Sequence, residues 1–164
     1  MLQTKVRILG VISLVCIALS SLVSLVGAVF TVVGVIIWCY LFYILTNRYG
    51  QRKLFNLTCI QSIVATPIAL WFLYITVYPD VMKHDTVMFI TVGMFVALLL
   101  FLGYTDYVIA KHLRVLSENT HNKWFYYSGK LLSVSVYTMP IIIGLYLSVI
   151  AGVVFVVGCI LYKE

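Results

Sequence analysis

Charged side chains are scarce in this chain, and acidic ones are nearly absent. Lys, Arg, Asp and Glu make up 10% of the 164 residues, where an ordinary soluble domain has roughly a quarter. That shortage excludes a water-solvated surface, because the 63% of residues that are hydrophobic could not all hide in one core of this size. No Cys-x-x-Cys pair occurs. Cys16, Cys39, Cys59 and Cys159 lie singly in apolar runs, which argues against metal or redox chemistry and for small buried hydrophobes. No Asp, Glu, His, Lys or Arg interrupts the apolar runs.

What is present is apolar sequence in four stretches, at residues 8–47, 54–79, 86–105 and 131–162. A membrane-spanning helix takes about 20 residues. The first stretch therefore holds two helices, at 8–25 and 28–46, around Gly27. The second and third hold one each, with Pro67 expected to kink the second. The fourth holds either two short helices meeting near residues 144–148 or one long, tilted or broken helix. Gly144, Ser148 and Gly152 fall at i, i+4, i+8 spacing, which favours the single helix if they form one ridge. Lys5 and Arg7 precede the first stretch as in a signal peptide, but the stretch is too long for one and is expected to stay as mature helix. The chain is thus expected to be an all-α integral membrane protein, one polytopic domain over residues 1–164. It would have about six transmembrane helices, or five if the C-terminal stretch is one helix.

Orientation follows from the basic residues. Of the 11 Lys and Arg, all but Lys83 fall on one side of a six-helix arrangement, which places both termini in the cytoplasm. Tyr40, Tyr43, Tyr49, Tyr104, Tyr107 and Trp124 mark the inner face, Tyr74 and Tyr78 the outer. The expected location is a prokaryotic cytoplasmic membrane. The net charge of +6 is carried by short loops, which suits lipid headgroups and not nucleic acid.

The chemistries that remain are few. Coupled ion transport places ionisable groups inside the bilayer. The nearest candidate, Asp106, falls at the inner end of the third stretch and reads as a solvated helix-end carboxylate near Lys111. Axial haem ligation needs histidines in facing helices, whereas His84, His112 and His121 lie in loops on opposite faces. An intramembrane enzyme needs a nucleophile beside a base, or paired carboxylates, and none of the serines has such a neighbour in sequence. No catalytic residue, cofactor or metal site is expected. Ser20, Ser24 and Ala28 form a small-residue ridge, as do Gly93 and Ala97, and such ridges let helices pack closely.

The segment from 107 to 130 is the most interactive. Ile109, Leu113 and Leu116 share one helical face. Lys111, Arg114 and Lys123 can meet anionic headgroups, and Trp124 and Phe125 add apolar anchors. These residues make it the expected contact surface for lipid or a protein partner.

The chain also looks loosely duplicated. Leu45-Thr-Asn-Arg-Tyr-Gly-Gln-Arg-Lys-Leu-Phe55 and Leu116-Ser-Glu-Asn-Thr-His-Asn-Lys-Trp-Phe125 both pass from one apolar helix to the next through a short polar turn. Together with the apolar stretches around them, and with Lys-Trp-Phe-Tyr-Tyr-Ser-Gly-Lys-Leu-Leu, these segments resemble an uncharacterised family of small multi-pass membrane proteins, found mainly in archaea and in some bacteria. The resemblance implies a multi-pass fold over most of the chain and no assigned activity or site. His121 departs from it, standing where the family pattern has Gly. The leading functional expectation is a non-catalytic accessory or structural subunit that packs against membrane lipids, other membrane proteins or its own copies. The alternatives are a small transporter or channel built from repeated helical hairpins, and a membrane immunity or exclusion protein.

Overall fold

The computed structural model describes residues 2–20, 25–139 and 143–162. Among them are six α-helices: α1 (Leu2–Ser20), α2 (Leu25–Arg48), α3 (Arg52–Val77), α4 (Asp85–Thr120), α5 (Lys123–Thr138) and α6 (Ile143–Ile160). Each helix packs on the next, and α6 packs back on α1, so the bundle closes into a ring. The Arg7 side chain donates to the Tyr162 carbonyl at 3.1 Å, which brings the two ends of the described chain to one end of the ring. Tyr49 and Tyr162 join their hydroxyls there as well.

Among the described residues, four helices are long and apolar enough to cross a membrane: α2 from Gly27, α3, α4 and α6. The six helices agree with the expected all-α bundle. Helix α5 has 16 residues, about 24 Å at 1.5 Å per residue, short of a hydrocarbon layer of about 30 Å. Helix α4 runs in the opposite sense. It does not stop at Thr105 but continues to Thr120, 36 residues in all, about 54 Å. The 107–130 loop is therefore helix almost throughout.

Local chemistry explains the helix ends. Helix α2 stops before Gly50, whose φ of +68° is one that only glycine adopts without cost. Pro79 opens a 3-10 turn, Pro79–Lys83, between α3 and α4. His121 takes the left-handed φ of 51° after α4, the position where a helix most often places Gly. Asn122 then caps α5, its side chain accepting from the Trp124 N–H at 3.0 Å. Helix α3 continues through Pro67. Hydroxyls inside the helices satisfy themselves on the preceding turn: Thr31, Thr46, Thr58, Thr66, Thr91 and Thr105 all donate to the carbonyl four residues back. Hydrocarbon offers them no other acceptor.

The core gathers Leu41, Phe42 and Leu45 of α2, Leu54 of α3, Ile109, Leu113 and Leu116 of α4, Phe125 of α5, and Phe155 and Cys159 of α6. Large apolar side chains elsewhere point outward, among them Ile36, Ile63, Phe89, Leu100 and Val149. An apolar exterior of this kind is what a lipid solvent accepts.

The α5–α6 break corrects the C-terminal expectation. Two helices are present, but α5 ends at Thr138, ahead of residues 144–148. Gly144 lies at the return: a Cβ there would collide with the Met139 nitrogen and the Ser135 carbonyl oxygen. The ridge of Gly144, Ser148 and Gly152 sits within α6 alone and turns inward, Gly152 facing the Trp38 ring. Pro140 lies outside the described residues.

Candidate functional site: a buried carboxyl between four helices

The stripe Ile109, Leu113, Leu116 extends one turn back to Asp106, and that turn decides the site. Residues three, seven and ten positions apart share a helix face, so Asp106 points where the core leucines point. Its side chain is 1% exposed. The solvated helix-end reading is therefore wrong. Lys111, about 7.5 Å further along the helix axis, is exposed, so Asp106 lies just inside the basic end of the bundle.

Neighbouring helices converge on this carboxyl. Gln61 of α3 donates its amide N–H to Oδ1 at 2.7 Å. Ser148 of α6 donates its hydroxyl to Oδ2 at 2.7 Å. Ser135 of α5 stands 3.5 Å from Oδ2 and gives its hydroxyl proton to the Leu132 carbonyl at 2.7 Å. All three partners are neutral. A carboxylate offers about four lone-pair sites, so two full hydrogen bonds leave acceptor capacity unused.

A cavity of about 80 Å³ adjoins the carboxyl, room for a few water molecules. Its polar atoms come from Asp106, Gln61, Thr58, Ser128 and Ser148, and its apolar wall includes Trp38, Phe42 and Phe155. The wall is rigid: Phe42 stacks on Phe155 with centroids 4.5 Å apart, Trp38 meets Phe155 edge-on at 5.4 Å, and Phe125 backs Phe155 at 5.0 Å.

The two duplicated segments flank this cavity. Gly50 and His121 hold the same place in the two turns, each with positive φ. Leu45 pairs with Leu116 and Leu54 with Phe125, all four fully buried. Counted back from those turns, Trp38 and Phe42 of α2 match Ile109 and Leu113 of α4, and all four line the cavity. The hairpins differ in what they carry: Gln61 of α3 corresponds to Leu132 of α5.

The remaining expected site residues divide. Ser148 meets the carboxyl, while Gly144 and Gly152 serve close packing. Ala28 is half-buried. Ser24 lies outside the described residues, as does the Ser20 side chain. Among the described residues, Gly93 and Ala97 do not pack against other helices: both are exposed, and a Cβ on Gly93 would meet nothing within 4 Å. Leu113, Leu116 and Phe125 are no contact surface either, being at most 1% exposed. The long α4 and its partner α5 consume them as core. Lys111, Arg114 and Lys123 remain exposed and Trp124 is 40% exposed, with Arg114 donating to the Ser133 hydroxyl at 3.0 Å. His112 Nδ1 lies 3.2 Å from the Gln51 amide oxygen, tying α4 to the α2–α3 turn. Among the described residues no group of three His, Cys, Asp or Glu side chains converges to hold a metal.

Sequence reasoning names Asp106 as the nearest ion-transport candidate but takes it as solvated, and it leaves Gln61 unassigned. The signal was there: Asp106 continues the apolar stripe of α4, and Gln61 is the one amide side chain in residues 57–77 of α3. No family model, no curated protein and no solved structure matches the chain.

Proposed function

We propose that this chain is a small, non-catalytic membrane carrier that binds and passes a proton or a compact monovalent cation at Asp106. The observation that carries this reading is the carboxyl itself, 1% exposed and held by neutral side chains beside a cavity. An ionisable group inside a membrane bundle is expensive to keep and marks ion and proton pathways. Gln61 and Ser148 orient Asp106 but supply no counter-charge. A proton or cation arriving from the cavity supplies it. The cavity volume restricts the occupant to a few heavy atoms, and the carboxylate favours a cation over an anion. Two similar hairpins around one site suit a transporter built from repeats. The basic turns and both termini are proposed to face the cytoplasm of a prokaryotic cell.

A second reading is favoured by one observation. Gly93 and Ala97 lie on an exposed face of α4, where a helix of another membrane protein or a second copy could approach closely. That is the accessory-subunit role.

The deciding experiment is flux into proteoliposomes under an imposed gradient, wild type against Asp106→Asn. The amide keeps the shape of the carboxyl: its oxygen can accept from Gln61 while its N–H donates to the Ser148 hydroxyl oxygen. Proton or monovalent-cation flux that is lost in Asp106→Asn, with melting unchanged, supports the carrier. A wild type that carries no such ion defeats it. A stoichiometric membrane partner released by Gly93→Leu would then favour the subunit.

A further inference from the structure

A second concavity lies apart from Asp106, at the basic end of the α2–α3 hairpin. It has a volume of about 360 Å³ and is lined by Tyr43, Thr46 and Asn47 of α2 and Arg52, Phe55 and Asn56 of α3. We propose that this groove binds the headgroup of an anionic phospholipid in the leaflet at the basic end of the bundle.

The lining has the chemistry of a phosphate site. Arg52 presents a guanidinium with five N–H donors, Asn47 and Asn56 add amide N–H groups, and Tyr43 adds a hydroxyl. No carboxylate lines the groove. Arg52, Asn47, Asn56 and Tyr43 are all exposed, so a headgroup can reach them without a rearrangement of the bundle. Lys53 follows Arg52 directly and raises the local positive field.

The same groove explains why a lipid fits better than a soluble phosphate. Its wall is aromatic: Tyr43 and Phe55 meet edge-on with centroids 5.5 Å apart. The two helix faces that form it continue into apolar surface. Ile36, two turns from Tyr43 on α2, is 63% exposed, and Ile63, two turns from Asn56 on α3, is 70% exposed. Residues seven apart share a face. An acyl chain can therefore lie along the α2–α3 seam while its phosphate meets Arg52.

Retention of lipid on the purified full chain tests this, with phosphatidylglycerol and phosphatidylcholine offered together and the adducts counted by native mass spectrometry. Arg52→Ala is compared with Lys53→Ala, which removes the same charge one residue away but does not line the groove. The expected result is selective retention of phosphatidylglycerol, weakened about fivefold by Arg52→Ala and less by Lys53→Ala, with both variants melting as wild type. Asn56→Ala should lower retention in the same direction and guards against a folding defect in the arginine variant. Equal retention of the two lipids overturns the proposal, as does equal weakening by the two charge removals. Displacement of phosphatidylglycerol by millimolar inorganic phosphate would assign the groove to a soluble anion and overturn it too.

Discussion

Gly129 and Gly93 each lie inside a helix, α5 and α4, yet alanine should have opposite effects at the two positions. A Cβ on Gly129 would stand 2.9 Å from the Ala110 carbonyl oxygen and 3.3 Å from the Leu113 Cβ. Both atoms belong to or adjoin the α4 backbone, so neither can swing aside, and α5 must back away from α4. Forced overpacking of this kind costs about 1–3 kcal/mol. The helix itself gains roughly 0.5–1 kcal/mol on replacing Gly by Ala. The net effect of Gly129→Ala is a loss of about 1–2 kcal/mol, roughly 2–8 °C in melting temperature at this chain length. At Gly93 no atom lies within 4 Å of the new methyl, so only the helix gain remains and melting should hold or rise slightly. Thermal unfolding followed by circular dichroism, both variants in the same detergent, reads the difference. A Gly129→Ala protein that melts with wild type would refute the close α4–α5 approach. A Gly93→Ala protein that loses as much as Gly129→Ala would show that another molecule covers the outer face of α4.

Three further outcomes are expected. Leu116→Ala should cost about 2–5 kcal/mol, as for a fully buried leucine, and more than Trp124→Ala at a half-exposed site; chemical unfolding of the two side by side checks whether α4 and α5 bury the former contact residues. His121→Gly should stabilise the protein by roughly 0.5–1 kcal/mol, by relieving a left-handed backbone that costs a side-chain-bearing residue about 1–2 kcal/mol, and an unchanged or lower melting temperature would contradict the conformation of that turn. Cys39 and Cys59, whose thiols face each other across α2 and α3, should form an intrachain disulfide under mild oxidation, seen as a loss of two hydrogens in the intact mass and abolished by Cys59→Ser. If no disulfide forms, the two thiols do not approach in bonding geometry.

The sequence by itself determined the class of the molecule. Hydropathy and the shortage of charge demand a lipid solvent, and the spacing of apolar residues demands helices, because only internal hydrogen bonding satisfies a backbone in hydrocarbon. Both hairpin turns were legible from Gly50 and from the polar run ending in His121 and Asn122, since left-handed and capping positions are local chemistry. The stripe Ile109, Leu113, Leu116 was legible too, but not what covers it, and that cover turned an expected contact face into core. A helical extension past residue 105 was legible from that stripe, but not its length, because the polar residues at 105–131 mark one face of each helix and not a loop. Asp106 was legible as a candidate, but its enclosure was not. Whether a carboxyl at a helix end is solvated or enclosed depends on Gln61, 45 residues earlier, and Ser148, 42 residues later, and only the packing of α3 on α4 and of α6 on α5 brings those groups to it. The same holds for the small residues: Gly144 and Gly129 are pressed against backbone while Gly93 faces open space, because close packing is a property of two surfaces and the sequence of one helix states only half of it.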